Sequence, residues 1–313
     1  MTIYDHEANP IPGGAVSGEI ATSDGTRLRF ARWPALAGTP KGTVVLVQGR
    51  AEFLEKYFET VRDLQVRGFA VATFDLRGQG GSGRDARVGP AGHVGDFRDY
   101  QADLEAVMAE VVMPNCPPPY YGVGHSTGAT ILIGSAPAMR TRFRRLVLLS
   151  PLLGFGDHGW PTTVIGPLAG ALALFGFART QVPGAARHVL YPRPFAGNRL
   201  SSDERRFARA AKLAEAHPEL TVGAPTIGWI RAATDAMIRL DDIDFVDRIR
   251  IPTLIIAAGA DKVVSNAATE RFARTLKIGH MITIPGARHE LLMESDIYRE
   301  QTFAAFDAFI PGS

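Results

Sequence analysis

The sequence predicts an α/β fold in which a mostly parallel sheet is covered by helices on both faces. Two observations carry this prediction: apolar runs of strand length alternate with amphipathic stretches of helix length, and the alternation breaks after Pro151 and resumes at Pro252. Strands covered on both faces are continuous apolar runs, whereas the covering helices have one apolar face. The chain of 313 residues is long enough for one core (residues 1–150 and 241–313) with an inserted helical cap (residues 151–240).

The first half of the chain supplies most of the predicted strands. Residues 28–33 alternate polar and apolar side chains with a period of two, as a half-buried strand does. Four later strands are short apolar runs typical of burial on both faces, at residues 42–47, 69–74, 120–123 and 146–149. Between them, apolar side chains recur at helical spacing and predict helices that begin near residues 53, 97 and 130.

The predicted cap differs from the core because proline and glycine interrupt its helical stretches and no convincing strand occurs. Ser201 and Glu204 have the spacing of a capping box, which predicts the start of a helix. Strand and helix patterns then return, with strands at residues 253–257 and 281–284 and helices at residues 269–276 and 298–306.

An uncharged stretch at residues 159–178 has the length of a membrane span. Pro161, Pro167 and several glycines interrupt it, and soluble-type elements flank it on both sides. We therefore expect a buried or lid-forming helix.

Composition argues against nucleic-acid binding and secretion. The 34 basic and 32 acidic residues nearly balance, and a net charge of +2 lacks the clustered basic excess that nucleic-acid binding requires. Cys116 is the only cysteine, so no intrachain disulfide can form, and its setting indicates a loop or packing thiol. The first residues lack the basic and apolar segments of a secretory signal, so we expect a cytoplasmic protein.

The strongest chemical signal is the stretch Gly-His-Ser-Thr-Gly at residues 124–128, which fits the G-x-S-x-G pattern. It follows a predicted buried strand and precedes a predicted helix, so Ser126 lies on a sharp turn. A serine hydroxyl becomes a useful nucleophile only when it projects into an open site beside a base. The backbone N–H of Thr127 begins the helix and is free to stabilise an oxyanion. We predict Ser126 as nucleophile and Thr127 as one oxyanion donor.

A base and an acid follow Ser126 in the chain order expected for this turn. Asp261 and His289 each come just after a predicted strand, so both lie at the edge of the sheet where Ser126 lies. Other acids near Asp261 precede its strand and would lie at the opposite edge: Asp241, Asp242, Asp244 and Asp247. Six other histidines precede the acid, precede the last strand, or, like His125, are expected to face away: His93, His125, His158, His188, His217 and His280.

A second oxyanion donor is expected from the loop after an early strand. Gln48, Gly49 and Arg50 follow the strand at residues 42–47, and we assign the role to the N–H of Arg50. The guanidinium of Arg50 could bind a phosphate on the substrate or form an ordinary surface salt bridge, and the sequence leaves both open.

Residues 78–83 match G-x-G-x-x-G, the dinucleotide fingerprint, but the match lacks its structural context. The fingerprint should open a helix, whereas residues 84–90 contain Gly89 and Pro90 and do not form a first helical turn. We therefore expect a structural turn and no dinucleotide. No Cys/His cluster has zinc spacing and no H-E-x-x-H motif occurs, so neither a metal nor another cofactor is predicted.

These motifs together resemble the lysophospholipase L2 and monoacylglycerol lipase group of α/β-hydrolases, which also carries the label serine aminopeptidase-like. The matching stretches lie at residues 48–53 with Lys56 and Tyr57, at 75–83, at 122–128, at 259–261 and at 288–290. The resemblance implies the α/β-hydrolase fold, a triad of Ser126, Asp261 and His289, and oxyanion donors at Arg50 and Thr127. Two departures, Gln48 for histidine and Thr127 for methionine, retain both N–H groups but could alter the shape of the pocket.

The resemblance implies hydrolysis of a monoacyl lipid ester, either a lysophospholipid or a monoacylglycerol. The apolar stretch of the cap would then line an acyl-chain pocket, pack the cap against the core, or contact a membrane surface. Alternative functions are a small-ester or amide hydrolase, an aminopeptidase, an acyltransferase, or a non-catalytic binding protein on a hydrolase fold. An aminopeptidase would need an acidic cluster for the substrate amine, and Asp203 and Glu204 form the only close acidic pair in the middle of the cap.

Overall fold

The computed structural model describes residues 3–36, 38–156, 162–183 and 195–311. Within these residues, eight strands form one sheet in the order β1-β2-β4-β3-β6-β7-β9-β10. The first two strands of that order run antiparallel to their neighbours, and the others pair in parallel. A separate parallel pair joins β5 to β8. The bounds are β1 (Val16–Ala21), β2 (Arg27–Trp33), β3 (Thr43–Val47), β4 (Ala70–Phe74), β5 (Ala91–Gly92), β6 (Tyr120–His125), β7 (Phe143–Leu149), β8 (Gly223–Pro225), β9 (Thr253–Ala258) and β10 (Gly279–Ile284).

Helices cover both faces of the sheet, and five of them lie where apolar periodicity predicted a helix, near residues 53, 97, 130, 269 and 298. Their bounds are α1 (Phe58–Val66), α2 (Phe97–Val107), α3 (Met113–Asn115), α4 (Thr127–Ser135), α5 (Thr162–Leu174), α6 (Glu204–Ala216), α7 (Ile227–Leu240), α8 (Ile243–Val246), α9 (Asn266–Thr275) and α10 (Asp296–Phe309). A π-helical turn at Met108–Val112 links α2 to α3. The predicted α/β fold with a mostly parallel sheet is therefore confirmed.

Two apolar clusters lie on opposite faces of the sheet, because successive side chains of a strand point in opposite directions. Val45 and Val47 of β3 belong to one cluster, whereas Val44 and Leu46 belong to the other. All five residues of β3 are buried, which is why its sequence is a continuous apolar run. Cys116 is buried in the first cluster and is a packing thiol.

Two predictions about the segment 151–240 need correction. It does contain a strand: β8 pairs in parallel with β5, and a stretch of three residues is too short to produce a recognisable pattern in the sequence. The predicted capping box is also wrong, because Asp203 caps α6 by accepting a hydrogen bond from the N–H of Arg206. Ser201 instead donates its hydroxyl to the carbonyl of Met293, which fastens this segment to the core.

Within the uncharged stretch at 159–178, Thr162–Leu174 form α5 and a 3-10 turn begins at Phe177, while residues 159–161 lie outside the described part of the chain. The helix has 13 residues, and its Pro167 is tolerated inside it. No helix in the described ranges is both long and apolar enough to cross a membrane.

Candidate active site

Ser126 lies on the sharp turn between β6 and α4 and has a strained backbone. Its φ is 52° and its ψ is −116°, a conformation that non-glycine residues rarely adopt. The flanking glycines are required by close contacts. A Cβ on Gly124 would lie 2.7 Å from the nitrogen of Ala129, and one on Gly128 would lie 2.1 Å from the carbonyl oxygen of Val47. The predicted turn is therefore formed, and it holds Ser126 at the carboxyl end of β6.

Asp261 and His289 are joined by a hydrogen bond. The Oδ2 atom of Asp261 lies 2.7 Å from Nδ1 of His289, in loops that follow β9 and β10. The other oxygen of Asp261 accepts the N–H groups of Val263 and Val264 at 2.8 and 3.1 Å. Burial opposes ionisation of this carboxyl, but His289 and the backbone donors outweigh it and lower the pKa of Asp261. An ionised, fixed carboxylate of this kind can orient an imidazole so that its other nitrogen faces a nucleophile.

Ser126 and His289 line the same cavity, which has a volume of about 740 Å³. Arg50 and Thr127 also line it, whereas the Asp261 side chain is fully buried behind His289. The cavity wall is completed by apolar side chains, mainly from α5 and α7: Leu152, Phe155, Ile165, Leu168, Ala169, Leu172, Ile227, Trp229, Ile230 and Val263. Its size is that of a small-molecule site, and its polar groups converge at Ser126.

The two predicted oxyanion donors lie on either side of Ser126. A Cβ on Gly49 would lie 3.3 Å from the Cβ of Ser126, so the loop at residues 48–52 passes directly beside the serine. Within the described ranges, no residue accepts the N–H of Arg50. Thr127 is the first residue of α4, where an N–H has no partner inside the helix. Both N–H groups can therefore meet an anionic oxygen bound at Ser126.

A buried ionic network that the sequence did not predict supports the loop at 48–52. Glu52 accepts the N–H of Gly49 at 2.5 Å and the Tyr57 hydroxyl at 2.5 Å. Lys56 donates to both Glu52 and Glu290, at 2.6 Å each. Burial alone would raise the pKa of Glu52, but Lys56 and its other partners lower it to about 2. The sequence feature that could have predicted this network is the pair of Glu52 and Lys56, which have opposite charges and lie four residues apart.

The glycine-rich turn at residues 78–83 also braces this loop, which explains the misleading match to a dinucleotide motif. Gln79 donates to the carbonyls of Gly49 and Glu52 and accepts the N–H of Ala51. Gly80 has a positive φ, and a Cβ there would lie 2.2 Å from the carboxyl carbon of Asp75. The predicted structural turn is confirmed. Ala51, like Ser126, has a positive φ and lines the cavity, so two of the three described non-glycine residues with a positive φ lie there.

The prediction that His125 faces away from the site is wrong. Its ring packs against the ring of His289, with centroids 4.7 Å apart, and it lines the cavity. Burial lowers the pKa of His125 to about 3, so it is neutral at neutral pH and adds no charge beside His289. A contact between residues far apart in sequence left no local signal in the residues around His125.

The structure separates the other candidate residues from Ser126. The four acids before β9 lie at its amino end, and three of them are exposed. His280 is the second residue of β10, at the amino end, and His93 is held by Thr226 at 2.7 Å. Asp203 and Glu204, the acidic pair of the inserted helical segment, do not line the cavity. The Asp203 carboxylate instead accepts a backbone N–H at the start of α6. His158 and His188 lie outside the described residues.

Two predictions about the loop at 48–52 are settled by its contacts. Arg50 has no carboxylate partner within the described ranges, so the surface salt bridge expected as an alternative is not formed. Gln48 is fully buried and donates to the carbonyl of Phe74 and to Asp75, and it does not line the cavity. In the part of the chain that the structure describes, no group of three His, Cys, Asp or Glu side chains could hold a metal ion.

Comparisons with known proteins agree with this architecture. The family model described as "Serine aminopeptidase, S33" matches residues 38–296. Lysophospholipase L2 of Escherichia coli K12 is 30% identical over 306 residues, covering 93% of this chain and 86% of the relative. A probable lysophospholipase L2 of Haemophilus influenzae is 28% identical and covers 85% and 83% of the two chains.

A solved structure shares the fold across the whole chain. The monoglyceride lipase of Saccharomyces cerevisiae, solved with a substrate analogue, superposes with a TM-score of 0.77 over 98% of this chain and 99% of that chain, at 20% identity. The family match and the shared fold lead to one assignment: the chain is a hydrolase with the α/β-hydrolase fold and belongs to the serine aminopeptidase S33 family.

Proposed function

We propose that this protein hydrolyses carboxylic esters of monoacyl lipids, either lysophospholipids or monoacylglycerols, through a covalent acyl-enzyme on Ser126. The observation that carries the proposal is the cavity of about 740 Å³, which joins a strained serine at one end to an apolar wall along α5 and α7. The names of the two lysophospholipase relatives point to the same substrate class.

Acylation would begin when His289 takes the proton of Ser126 as the hydroxyl attacks the ester carbonyl. Asp261 would hold the imidazole in the tautomer that leaves its other nitrogen free to accept that proton. The N–H groups of Arg50 and Thr127 would donate to the oxyanion of the tetrahedral intermediate. The strained turn at Ser126 supports this role because it places the side chain in the cavity before any substrate binds.

Collapse of the intermediate would break the bond between carbonyl carbon and alkoxide oxygen. His289 would give its proton to the departing glycerol oxygen, which leaves an ester on Ser126. A water molecule, deprotonated by His289, would then attack the acyl-enzyme. The bond between the acyl carbon and the Ser126 oxygen would break, and His289 would return the proton to Ser126 as the fatty acid leaves. The ionised Asp261 stabilises the imidazolium that forms in both steps.

Three cap side chains support binding of an acyl chain. Ile165, Leu168 and Leu172 recur at helical spacing along α5 and line the cavity, so one face of the helix is turned toward Ser126. An alkyl chain bound along this face would be stabilised by the burial of apolar surface.

The aminopeptidase alternative has less support from the site. Two carboxylates, Glu52 and Glu290, do line the cavity, but both already bind the ammonium of Lys56. A free carboxylate for the amine of a peptide substrate is therefore not available at this pair. An acyltransferase would use the same groups with an alcohol in place of water.

We further propose that the end of α5 contacts a membrane surface. Leu174 and Phe175 are 86% and 81% exposed, next to the face that lines the cavity. Two adjacent exposed apolar side chains at a helix end form a small patch that can insert into the boundary of a bilayer. Sedimentation with phosphatidylcholine vesicles should fall in the Leu174→Ser, Phe175→Ser double variant. The exposed Ile238 of α7, changed to Ser, is the control, and equal loss in both would refute the contact.

The experiment for the proposed function is hydrolysis by the purified protein of lysophosphatidylcholine, monoacylglycerols and nitrophenyl esters of increasing chain length. Ser126→Ala should abolish activity, whereas Ser135→Ala, at a second buried serine on α4, should not. Cleavage of long-chain esters by the wild type supports the proposal. Cleavage of short esters alone would refute the lipid substrate, and activity in Ser126→Ala would refute the nucleophile.

A further inference from the structure

The guanidinium of Arg50 occupies a prepared position at the cavity. Its Nη2 donates to the carbonyl of Gly223, and its Cζ lies 5.3 Å from the centre of the Trp229 ring. Gly92 makes room for it, since a Cβ there would lie 3.0 Å from Nη2. The side chain is therefore fixed between the pair of strands β5 and β8 and the helix α7, on the wall of the cavity that holds Ser126.

Arg50 is half-buried, and it lacks the acidic partner that the buried arginines Arg29 and Arg206 have. Arg29 is paired with Glu55 and Asp75, and Arg206 is paired with Glu59. Among the described residues no carboxylate lies within ion-pair distance of Arg50, and its Nε is buried without a hydrogen-bond partner. Burial lowers the pKa of Arg50 to about 10, which leaves it charged at neutral pH.

Buried charges in proteins are normally paired or bind a ligand of opposite charge. A planar guanidinium with unused N–H groups suits a phosphate, because two parallel hydrogen bonds can form. The two carboxylates that line the cavity near Arg50, Glu52 and Glu290, already form ion pairs with Lys56. The Nε–H of Arg50, by contrast, has no acceptor among the described residues.

The position of Arg50 in the chain fixes which part of a substrate it would meet. Its own N–H is the proposed oxyanion donor, so its side chain begins beside the ester carbonyl and extends away from Ser126 toward β8 and α7. A lysophospholipid carries its phosphate on the glycerol that leaves, a few bonds from that carbonyl. A monoacylglycerol carries only a hydroxyl at the same place.

We propose that Arg50 binds the phosphate of a lysophospholipid and thereby favours phosphorylated over neutral monoacyl lipids. This inference rests on the proposed function and names the head group that the function leaves open. Phosphate recognition by Arg50 adds a binding role to the side chain of a residue whose backbone serves the reaction.

The first test compares lysophosphatidate with a monoacylglycerol of the same acyl chain. For each enzyme the ratio of the two kcat/KM values is measured, so any loss shared by both substrates cancels. Arg50→Gln should lower the ratio at least tenfold, since a hydrogen-bonded charge is lost, and Arg50→Lys should recover part of it. Arg231→Gln, which removes an arginine from the same helix as Trp229, should leave the ratio unchanged. An unchanged ratio in Arg50→Gln overturns the proposal.

The second test needs no lipid hydrolysis and so separates this proposal from the proposed function. Binding of sn-glycerol 3-phosphate to the wild type and Arg50→Gln is measured by calorimetry, with glycerol as the uncharged control. The wild type should bind the phosphate at least tenfold more tightly than the variant. Equal binding, or none by the wild type, overturns the phosphate site even if lipid esters are cleaved.

Discussion

The two walls of the cavity are built in different ways. On the core side, Ser126, Asp261 and His289 follow β6, β9 and β10, which run in parallel, so all three lie at one edge of the sheet. On the cap side, the wall consists of apolar side chains on α5 and α7. The sheet fixes the polar groups by backbone hydrogen bonds, whereas the cap contributes shape and apolar surface. We therefore expect the core to carry the chemical step and the cap to determine which acyl chains are accepted.

The largest effect should follow from a change on the core side. Asp261→Asn keeps the shape of the side chain but lets the amide hold His289 in the wrong tautomer, so kcat should fall by about 10⁴-fold. Steady-state hydrolysis of a nitrophenyl ester measures this loss. Asp244→Asn, at an exposed acid before β9, is the matched control and should retain full activity. Equal activity of the two variants would remove Asp261 from the mechanism.

A smaller loss is expected when the loop at 48–52 loses its support. Glu52→Gln removes the carboxylate that accepts the N–H of Gly49, so the donor at Arg50 is less well placed and kcat should fall about 10- to 100-fold. Tyr57→Phe removes one other donor to the same carboxylate and should cost less. Thermal unfolding is measured alongside kcat. A lower melting temperature with unchanged kcat would give Glu52 a purely structural role.

Changes on the cap side should alter the preference for acyl-chain length and leave the chemical step unchanged. Leu172→Trp fills part of the apolar wall, so kcat/KM for a long-chain nitrophenyl ester should fall about tenfold while that for a short ester is retained. Leu174→Trp, on the exposed side of the same helix, is the matched control. If both variants, or neither, lose long-chain activity, α5 does not line the acyl pocket.

The smallest effect should come from an ionic contact, away from the cavity, that joins the cap to the core. Glu59 of α1 pairs with Arg206 and Arg209 of α6, and despite the opposing effect of burial these partners lower the pKa of Glu59 to about 2. Its stabilising effect is therefore complete above the unfolded pKa of 4.5 and is lost as the pH falls toward 2.

Glu59→Gln should lower the melting temperature by about 2–6 °C at pH 7, and the difference from the wild type should shrink at pH 3. Asp296→Asn, at a mostly exposed partner of Arg206, should have a smaller effect at both pH values. A difference for Glu59→Gln that is independent of pH would show that the lost contact is not ionic.

Whether a feature could be predicted from the sequence depends on whether a local pattern marks it. Ser126, Asp261 and His289 could be placed because each follows an apolar run, and the end of a buried parallel strand has a defined place in the fold. The partners Glu52, Lys56 and Glu290 were not assigned because two of them are more than 200 residues apart in the chain. The short strand β8 was missed because it depends on pairing with β5 of the core. The N-cap at Asp203 is a local contact, and it was missed because Ser201 and Glu204 have the spacing of a capping box, whereas Ser201 binds the core instead.

The central claim is tested most directly by trapping the enzyme with a fluorophosphonate that carries a long alkyl chain and locating the adduct by peptide mass spectrometry. We expect one adduct, on Ser126, with complete loss of activity, and slower labelling in Leu172→Trp than in Leu174→Trp. An adduct on another residue, or esterase activity that survives full labelling of Ser126, would contradict the account.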